Sequence, residues 1–445
     1  MRTRALGLVA LALAACAGTP PPPVPGPEEP VAQDRLRDVV EMLSEGDIAE
    51  LYAQFDPRMT AAITPEQLGQ VWASTIVQFG EYQSLDKLES AEQQGLRTAT
   101  GVMHFANGAV DIRLALNAEG KIAGLFLTPR PAALPRDAPP GADTTRFTER
   151  AVTVGPLALP GTLTIPEGAG PFPGVVLVQG SGPHDRNETI GPNQPFRDLA
   201  WQLATRGIAV LRYDKRTLVH PESFAGRPYT VKEEVVDDAV TAVELLRHEL
   251  RVDSSAVFVL GHSLGGMLAP RIGARDANVA GLILLAGPAR PLQEYLPVQA
   301  RFVARASGDS TVEDNPGVQA ADSVVARIAA LQPGDSLSME PIALVPASYW
   351  LDLRDYYPPE LAKRLDKPFL VLQGGRDFQI PPSDLDLWRQ ALAGKPGTEF
   401  HLYPALNHLF IPGEGPPSLA EYQQPGHVPA RVADDIAAWI RARAD

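Results

Sequence analysis

The chain has 445 residues, 44% hydrophobic and 21% charged, an ordinary globular balance that excludes general disorder. Lys and Arg total 39 against 53 Asp and Glu, a net charge of −14. So acidic a chain carries no electrostatic footprint for nucleic acid and does not coat an anionic membrane unaided. A single cysteine excludes an intrachain disulfide and a cysteine-based metal cluster, and 44 prolines point to linkers and turn-rich loops.

At the N-terminus Arg2 and Arg4 precede an apolar run over residues 5–15, then Cys16. The run is too short to anchor stably across a bilayer and reads as a secretory signal over residues 1–15. Leu13-Ala14-Ala15-Cys16 resembles the bacterial lipobox, which implies that Cys16 is diacylated and becomes the mature N-terminus. Each buried CH₂ contributes ~0.8 kcal/mol, so several acyl chains on one residue anchor stably. The expected location is the bacterial cell envelope, on the outer membrane or the periplasmic side. In a two-membrane bacterium Ala17 after the cysteine points to the outer membrane, with the lipid as the only membrane contact. Residues 16–30 then form a lipidated, proline-rich, extended stalk.

Residues 31–130 read as a small α+β domain. Leu36, Val39, Val40, Leu43, Ile48 and Leu51 recur at helical spacing over residues 35–55. Segments 101–105, 110–116 and 121–127 alternate as strands, with a turn at 117–120 before the last. The pattern resembles the NTF2-like modules found ahead of some secreted hydrolases. A second proline-rich linker covers residues 131–147.

From residue 148 to 445 strands alternate with helices, the sign of a mostly parallel sheet covered on both faces. A hairpin (151–154 and 162–165) precedes buried-type runs at 175–179, 208–212, 256–260, 282–285 and 369–372. A helix is predicted from 231 to about 250, with Thr230 and Glu233 at capping-box spacing. About 80 residues interrupt this rhythm at about 288–367. A structureless loop of that length is improbable, and Ala321, Val324, Val325, Ile328 and Leu331 have helical spacing, so a helical cap is expected.

The chemistry is concentrated in Gly261-His262-Ser263-Leu264-Gly265-Gly266, entered by an apolar strand and followed by a helix-compatible stretch. A nucleophilic serine needs a sharp strand-to-helix turn with minimal neighbouring side chains. The helix N-terminus beyond it favours developing negative charge. Ser263 is the candidate nucleophile. Of the eight histidines, His104 lies upstream of the α/β unit, His248 near a helix end and His401 in a strand. His184 and His220 precede the serine, against the Ser…Asp…His order of this fold. His262 adjoins the serine and cannot easily fold back on it. His408 and His427 remain, and His408, which follows the last predicted strand (398–403), is preferred as base. Asp377, on the turn after the strand 369–372, is the candidate carboxylate that fixes the imidazole tautomer.

An oxyanion hole requires one N–H from the residue after the nucleophile, here Leu264, and one from an earlier strand-end loop. Gly180-Ser181-Gly182 follows the strand 175–179, and Ser181 is preferred, with Gly182 one position away.

Residues 179–217, with GHSLGG, GGRDFQIP and LNHLFIPGEG…EYQQPGHV, resemble a bacterial α/β-hydrolase family. Its members are extracytoplasmic serine esterases related to dienelactone-hydrolase and prolyl-oligopeptidase-type hydrolases. The resemblance covers roughly residues 148–445 and implies Ser263 as nucleophile, Asp377 as acid and His408 as base. Gln179 departs from it, where many relatives have His. Asp185, Arg186, Tyr213, Asp214 and Arg216 match it and are expected to be structural.

The expected activity is carboxylic-ester hydrolysis on a small-molecule ester through an acyl-enzyme, with no metal or organic cofactor. Amide chemistry, as a peptidase or acyltransferase with the same residues, is the alternative. A catalytically silent envelope binding protein is the alternative of another class, and a fluorophosphonate probe that fails to label Ser263 would favour it. Tyr295, Phe302, Tyr349, Trp350, Tyr356 and Tyr357 make the cap aromatic, and Tyr349 and Trp350 are expected to help line an apolar acyl pocket.

Overall fold

A computed structural model of the chain describes residues 32–93, 96–130, 134, 137–338, 342–343 and 345–444. The expected signal, Cys16 and the proline-rich stalk lie outside the described residues. Two compact units divide the chain: residues 1–133 with 422–424, and residues 134–421 with 425–445.

The first unit opens with α1 (Ala32–Glu45), whose Leu36, Val39, Val40 and Leu43 are buried. The single helix expected over 35–55 is broken, because Gly46 takes a φ of +84°, and α2 (Ile48–Tyr52) restarts it. Asp56 caps α3 (Pro57–Ala62), and a Thr64–Gln67 capping box opens α4 (Pro65–Phe79). Four antiparallel strands follow in the order β1-β2-β3-β4: Tyr82–Gln93, Leu96–Phe105, Gly108–Leu116 and Ile122–Pro129. Three of them overlap the expected strands, whereas β1 was not expected.

The second unit carries the mostly parallel, helix-covered sheet that the resemblance to α/β-hydrolases leads one to expect. Its eight-stranded sheet comprises β5 (Phe147–Val154), β6 (Leu159–Pro166), β7 (Phe172–Val178), β8 (Ala209–Tyr213), β9 (Val252–His262), β10 (Leu282–Leu285), β11 (Phe369–Gly374) and β12 (Glu399–Tyr403). The order is β12-β11-β10-β9-β7-β8-β6-β5. β5 and β6 pair antiparallel, β6 is antiparallel to β8, and the other pairings are parallel. Side chains alternate across a strand, so Val176, Val259, Leu284 and Val371 join one core, and Val175, Leu260, Ile283 and Leu372 the other. Both faces are buried, which explains the continuous apolar runs.

On the first face pack α7 (Asp237–Arg247), α8 (Leu264–Arg275) and α13 (Ser383–Ala391); on the second pack α5 (Pro195–Thr205) and α14 (Ala430–Ala444). A one-turn helix α6 (Arg216–Val219) follows β8. The helix expected from 231 begins with a π turn, Lys232–Val236, before α7, and Thr230 accepts from the Lys232 amide while Glu233 accepts from the Thr230 amide. Between β10 and β11 the cap contains α9 (Tyr295–Ala306), α10 (Pro316–Ala330), α11 (Ala347–Leu353) and α12 (Pro358–Arg364). At its start Tyr295 Oη and Arg290 bind Asp384 of α13. At its end Arg271 of α8 pairs with Asp352 at 2.7 Å. Among the described residues no helix is long and apolar enough to cross a membrane.

Candidate active site

Ser263 stands alone between β9 and α8, with φ 51° and ψ −117°. A non-glycine residue at positive φ is strained and persists only where its surroundings force it. The glycines on either side supply the room. A Cβ on Gly261 would lie 2.2 Å from the Gly265 carbonyl oxygen, and one on Gly265 would lie 2.2 Å from that of Val178. The Ser263 amide donates to Leu285 O at 2.9 Å, tying the turn to β10. The first amides of α8 have no partner within their own helix, and Leu264 supplies the first of them.

The loop after β7 closes on this turn. A Cβ on Gly180 would sit 3.1 Å from Ser263 Cβ. The Gly180 amide donates to Glu188 Oε1 at 2.6 Å, and its carbonyl accepts from Lys215 Nζ at 2.8 Å. Lys215 is held in turn by Glu234 of the π turn at 2.6 Å. The Ser181 carbonyl accepts from His184 Nε2 at 2.7 Å, while the Ser181 amide has no hydrogen-bond partner among the described residues. Gln179 donates to Tyr213 O, so the residue that departs from the family pattern braces β7 against β8.

His408 lies on the loop after β12 and Asp377 on the turn after β11. They are 3% and 4% exposed, and His408 Nδ1 donates to Asp377 Oδ2 at 2.7 Å. The carboxylate is fully engaged: Oδ1 accepts the amides of Gln379 and Ile380 at 2.9 Å each, and Oδ2 also accepts Gln373 Nε2 at 3.1 Å. Because Nδ1 carries the hydrogen, Nε2 is left bare as an acceptor in the neutral ring. His427 pairs elsewhere, with Asp198 of α5 at 3.0 Å.

His262 does approach the base, from behind. Its Nε2 donates to the His408 carbonyl at 2.8 Å, the two ring centroids lie 4.7 Å apart, and its Nδ1 lies 3.0 Å from Glu188 Oε1. Sequence reasoning missed Glu188, Lys215 and Glu234. Their one signal was charge next to apolar or glycine-rich runs that should be buried.

Arg186 forms a bidentate pair with Asp214, at 2.8 and 2.7 Å, and Arg216 pairs with Asp238, so these family-like charges brace loops. Trp350 is buried in the cap's own core, whereas Tyr349 is buried against the sheet core. Trp350 Nε1 donates to Ile342 O at 2.8 Å, and its ring packs with Ile328, Leu331 and Ala347. Tyr349 stacks edge-on against Tyr229, and burial, with Glu234 adding to it, raises its phenol well above the ordinary range. The aromatic pair adjoining Asp377 is Phe302 of α9 on Phe378, stacked at 4.1 Å. Among the described residues no three His, Cys, Asp or Glu side chains are grouped to hold a metal ion.

Residues 184–414 match the family model described as "Serine aminopeptidase, S33". The chain belongs to that hydrolase family. Residues 37–125 match a second model, described as a protein of unknown function, DUF3887. Esterase EstD of Thermotoga maritima is 37% identical over 383 residues, covering 86% of this chain and 89% of the relative. Among solved structures, the esterase domain of a Rhodothermus marinus protein is 16% identical with a TM-score of 0.41, covering 67% of this chain and all of that one. A puromycin-hydrolyzing peptidase of Mycobacterium tuberculosis is 18% identical with a TM-score of 0.44, covering 82% of this chain and 48% of that one.

Proposed function

We propose that the protein hydrolyses small carboxylic esters through an acyl-enzyme on Ser263. The observation that carries this reading is the 2.7 Å bond from His408 to Asp377 on loops adjoining the strained serine turn. His408 Nε2 takes the Ser263 proton as Oγ attacks the ester carbon, and the Ser181 and Leu264 amides hold the oxygen that becomes negative. His408 then protonates the leaving alcohol as the carbon–oxygen bond breaks. A water, deprotonated by the same nitrogen, releases the acid and restores Ser263. Asp377 keeps the hydrogen on Nδ1 and stabilises the imidazolium. The esterase name of the 37% identical relative supports ester over amide chemistry. The aminopeptidase description of the family model keeps amide hydrolysis as the second reading.

Chromogenic acetyl and butyryl esters beside aminoacyl anilides, with wild type and Ser263→Ala, test both. Ester turnover abolished by Ser263→Ala is expected; turnover that survives it removes the assignment, and faster anilide cleavage selects the second reading. The cap is proposed to set acyl preference, with Tyr349 and Trp350 shaping it through packing. Cys16 is proposed as a lipid attachment site that tethers the protein to the envelope, on the sequence pattern alone. Cys16→Ser is expected to release the protein from the membrane fraction, and unchanged retention with normal processing removes that proposal.

A further inference from the structure

The loops and turn that carry the proposed reaction converge on one buried ion pair that takes no part in it. Glu188 is 1% exposed, at a φ of 52° in the loop after β7. Its Oε1 accepts the Gly180 amide, one residue before the proposed oxyanion donor, and faces His262 Nδ1 at 3.0 Å. His262 is 4% exposed, is the last residue of β9 before Ser263, and donates through Nε2 to the carbonyl of His408. One carboxylate and one imidazole thus touch the oxyanion loop, the serine turn and the base loop together.

The hydrogen inventory of this arrangement is restrictive. A carbonyl oxygen only accepts, so His262 Nε2 must carry a hydrogen. Its Nδ1 lies 3.0 Å from a carboxylate oxygen, off hydrogen-bond geometry, so the contact is an electrostatic one that favours the charged ring. Burial opposes that charge, but Glu188 foremost, with the His408 carbonyl and Asp377, outweighs burial and raises the His262 value. Glu188 is lowered in return: burial would raise it, but His262, His184 and the Gly180 amide prevail.

Such a pair is a poor device for stability. Desolvation of both charges consumes much of the attraction, and an apolar replacement is often neutral or better. Its contact at Nδ1 is off the line of a good hydrogen bond, and Glu188 Oε2 has no hydrogen-bond partner among the described residues. What it supplies is registration of three loops. We infer that Glu188 and His262 form a positioning pair that holds the Ser181 amide, Ser263 and His408 in register for acyl transfer. The inference rests on the function proposed above.

The test uses the full chain with Glu188→Gln, His262→Gln and the double variant, a 4-nitrophenyl ester and a fluorophosphonate probe. A neutral carboxamide in place of the Glu188 carboxylate removes the charge that faces His262 while shape is kept. A misplacement of about 1 Å at a reacting group is worth about 100-fold. Each single variant is expected to lose kcat and probe-labelling rate by about that factor, with KM within about threefold, a split that marks lost transition-state interaction. The double variant is expected to be no slower than the slower single, because the residues act as one unit. Singles within about threefold of wild-type kcat, losses that multiply in the double variant, or a loss matched by the unfolded fraction would each overturn the inference. If Glu188→Gln does not fold, Glu188→Asp keeps the charge and withdraws it by one methylene; the same kcat loss is expected, and full activity overturns the idea. Turnover that persists in Ser263→Ala removes the acyl-enzyme reading and this inference together, whereas Ser263-dependent turnover with unaffected pair variants removes the inference alone.

Discussion

Asp377→Asn separates charge from shape at the centre of the site. The two carboxylate oxygens divide four bonds, with the Gln379 and Ile380 amides on Oδ1 and His408 with Gln373 on Oδ2. Asparagine offers an acceptor on one side only. With its oxygen toward the two amides, its NH₂ meets the Gln373 side-chain amide donor to donor. His408 must then present a bare Nδ1 and carry its hydrogen on Nε2, where it cannot receive the Ser263 proton. The opposite rotamer takes Oδ1 away from the buried Ile380 amide and the half-buried Gln379 amide, at roughly 1–3 kcal/mol for the buried one, so the first is preferred. A serine hydrolase held in the wrong tautomer loses about 10⁴ in kcat, about 5.4 kcal/mol at 1.36 kcal/mol per decade. Steady-state hydrolysis of a 4-nitrophenyl ester measures kcat and KM, and a cooperative thermal transition shows that the variant is folded. The expected result is a kcat lower by about four decades with KM little changed. A folded variant within about tenfold of wild-type kcat would refute the roles given to Asp377 and His408.

Trp350→Ala removes a ring packed with Ile328 and Leu331 and leaves the Ile342 carbonyl with the Val345 amide as its one remaining donor, a change of ~3–5 kcal/mol. A lower unfolding midpoint and an even loss across esters of two to eight acyl carbons are expected; a tenfold change in chain-length preference would instead mean that the ring itself contacts substrate. His184 is lowered from the ordinary 6.5 because burial disfavours its charge, against the pull of Glu188. Its neutral form therefore contributes stability above pH 6.5 that is lost as pH falls below it, since the unfolded chain then binds the proton first. His184→Gln is expected to shrink the drop in unfolding midpoint between pH 7.5 and 5, and an unchanged drop would refute the assignment of that acid sensitivity to His184.

How much of this was legible in the sequence depended on whether a residue answered to local pattern or to long-range contact. Parallel strands buried on both faces announce themselves as apolar runs, and the predicted runs from 175 to 403 fall on β7–β12. The serine turn was legible because its two glycines are demanded by atoms within a few residues or on the adjoining strand. β1 was not, since Tyr82-Gln83-Ser84-Leu85-Asp86-Lys87 and the residues beyond carry little apolar alternation. Its strand state comes from pairing with β2. The break at Gly46 was hidden because apolar spacing carries across it. His262 was set aside by a correct argument, that it cannot turn back on its neighbour, which left unasked what lay on its other side. Glu188 is 74 positions upstream of it, and no local pattern connects them. The aromatic density of the cap was visible, but which rings faced inward was not. Trp350 is consumed by the cap's own packing, whereas Phe302 reaches Phe378 beside Asp377.

The last helix bears on how the chain tolerates being shortened. Trp439 of α14 meets Phe258 of β9 at 5.6 Å, and Ile436 and Ile440 belong to the same core as Leu260. The strand that leads to Ser263 is thus covered on one face by α14. Loss of α14 would uncover that strand without removing Ser263, Asp377 or His408. Chain order adds a matching constraint on synthesis. The proposed nucleophile Ser263 is made before its proposed base His408, and α14, which covers β9, is made after both. On the proposed mechanism, competence therefore waits for α14 to pack on the sheet.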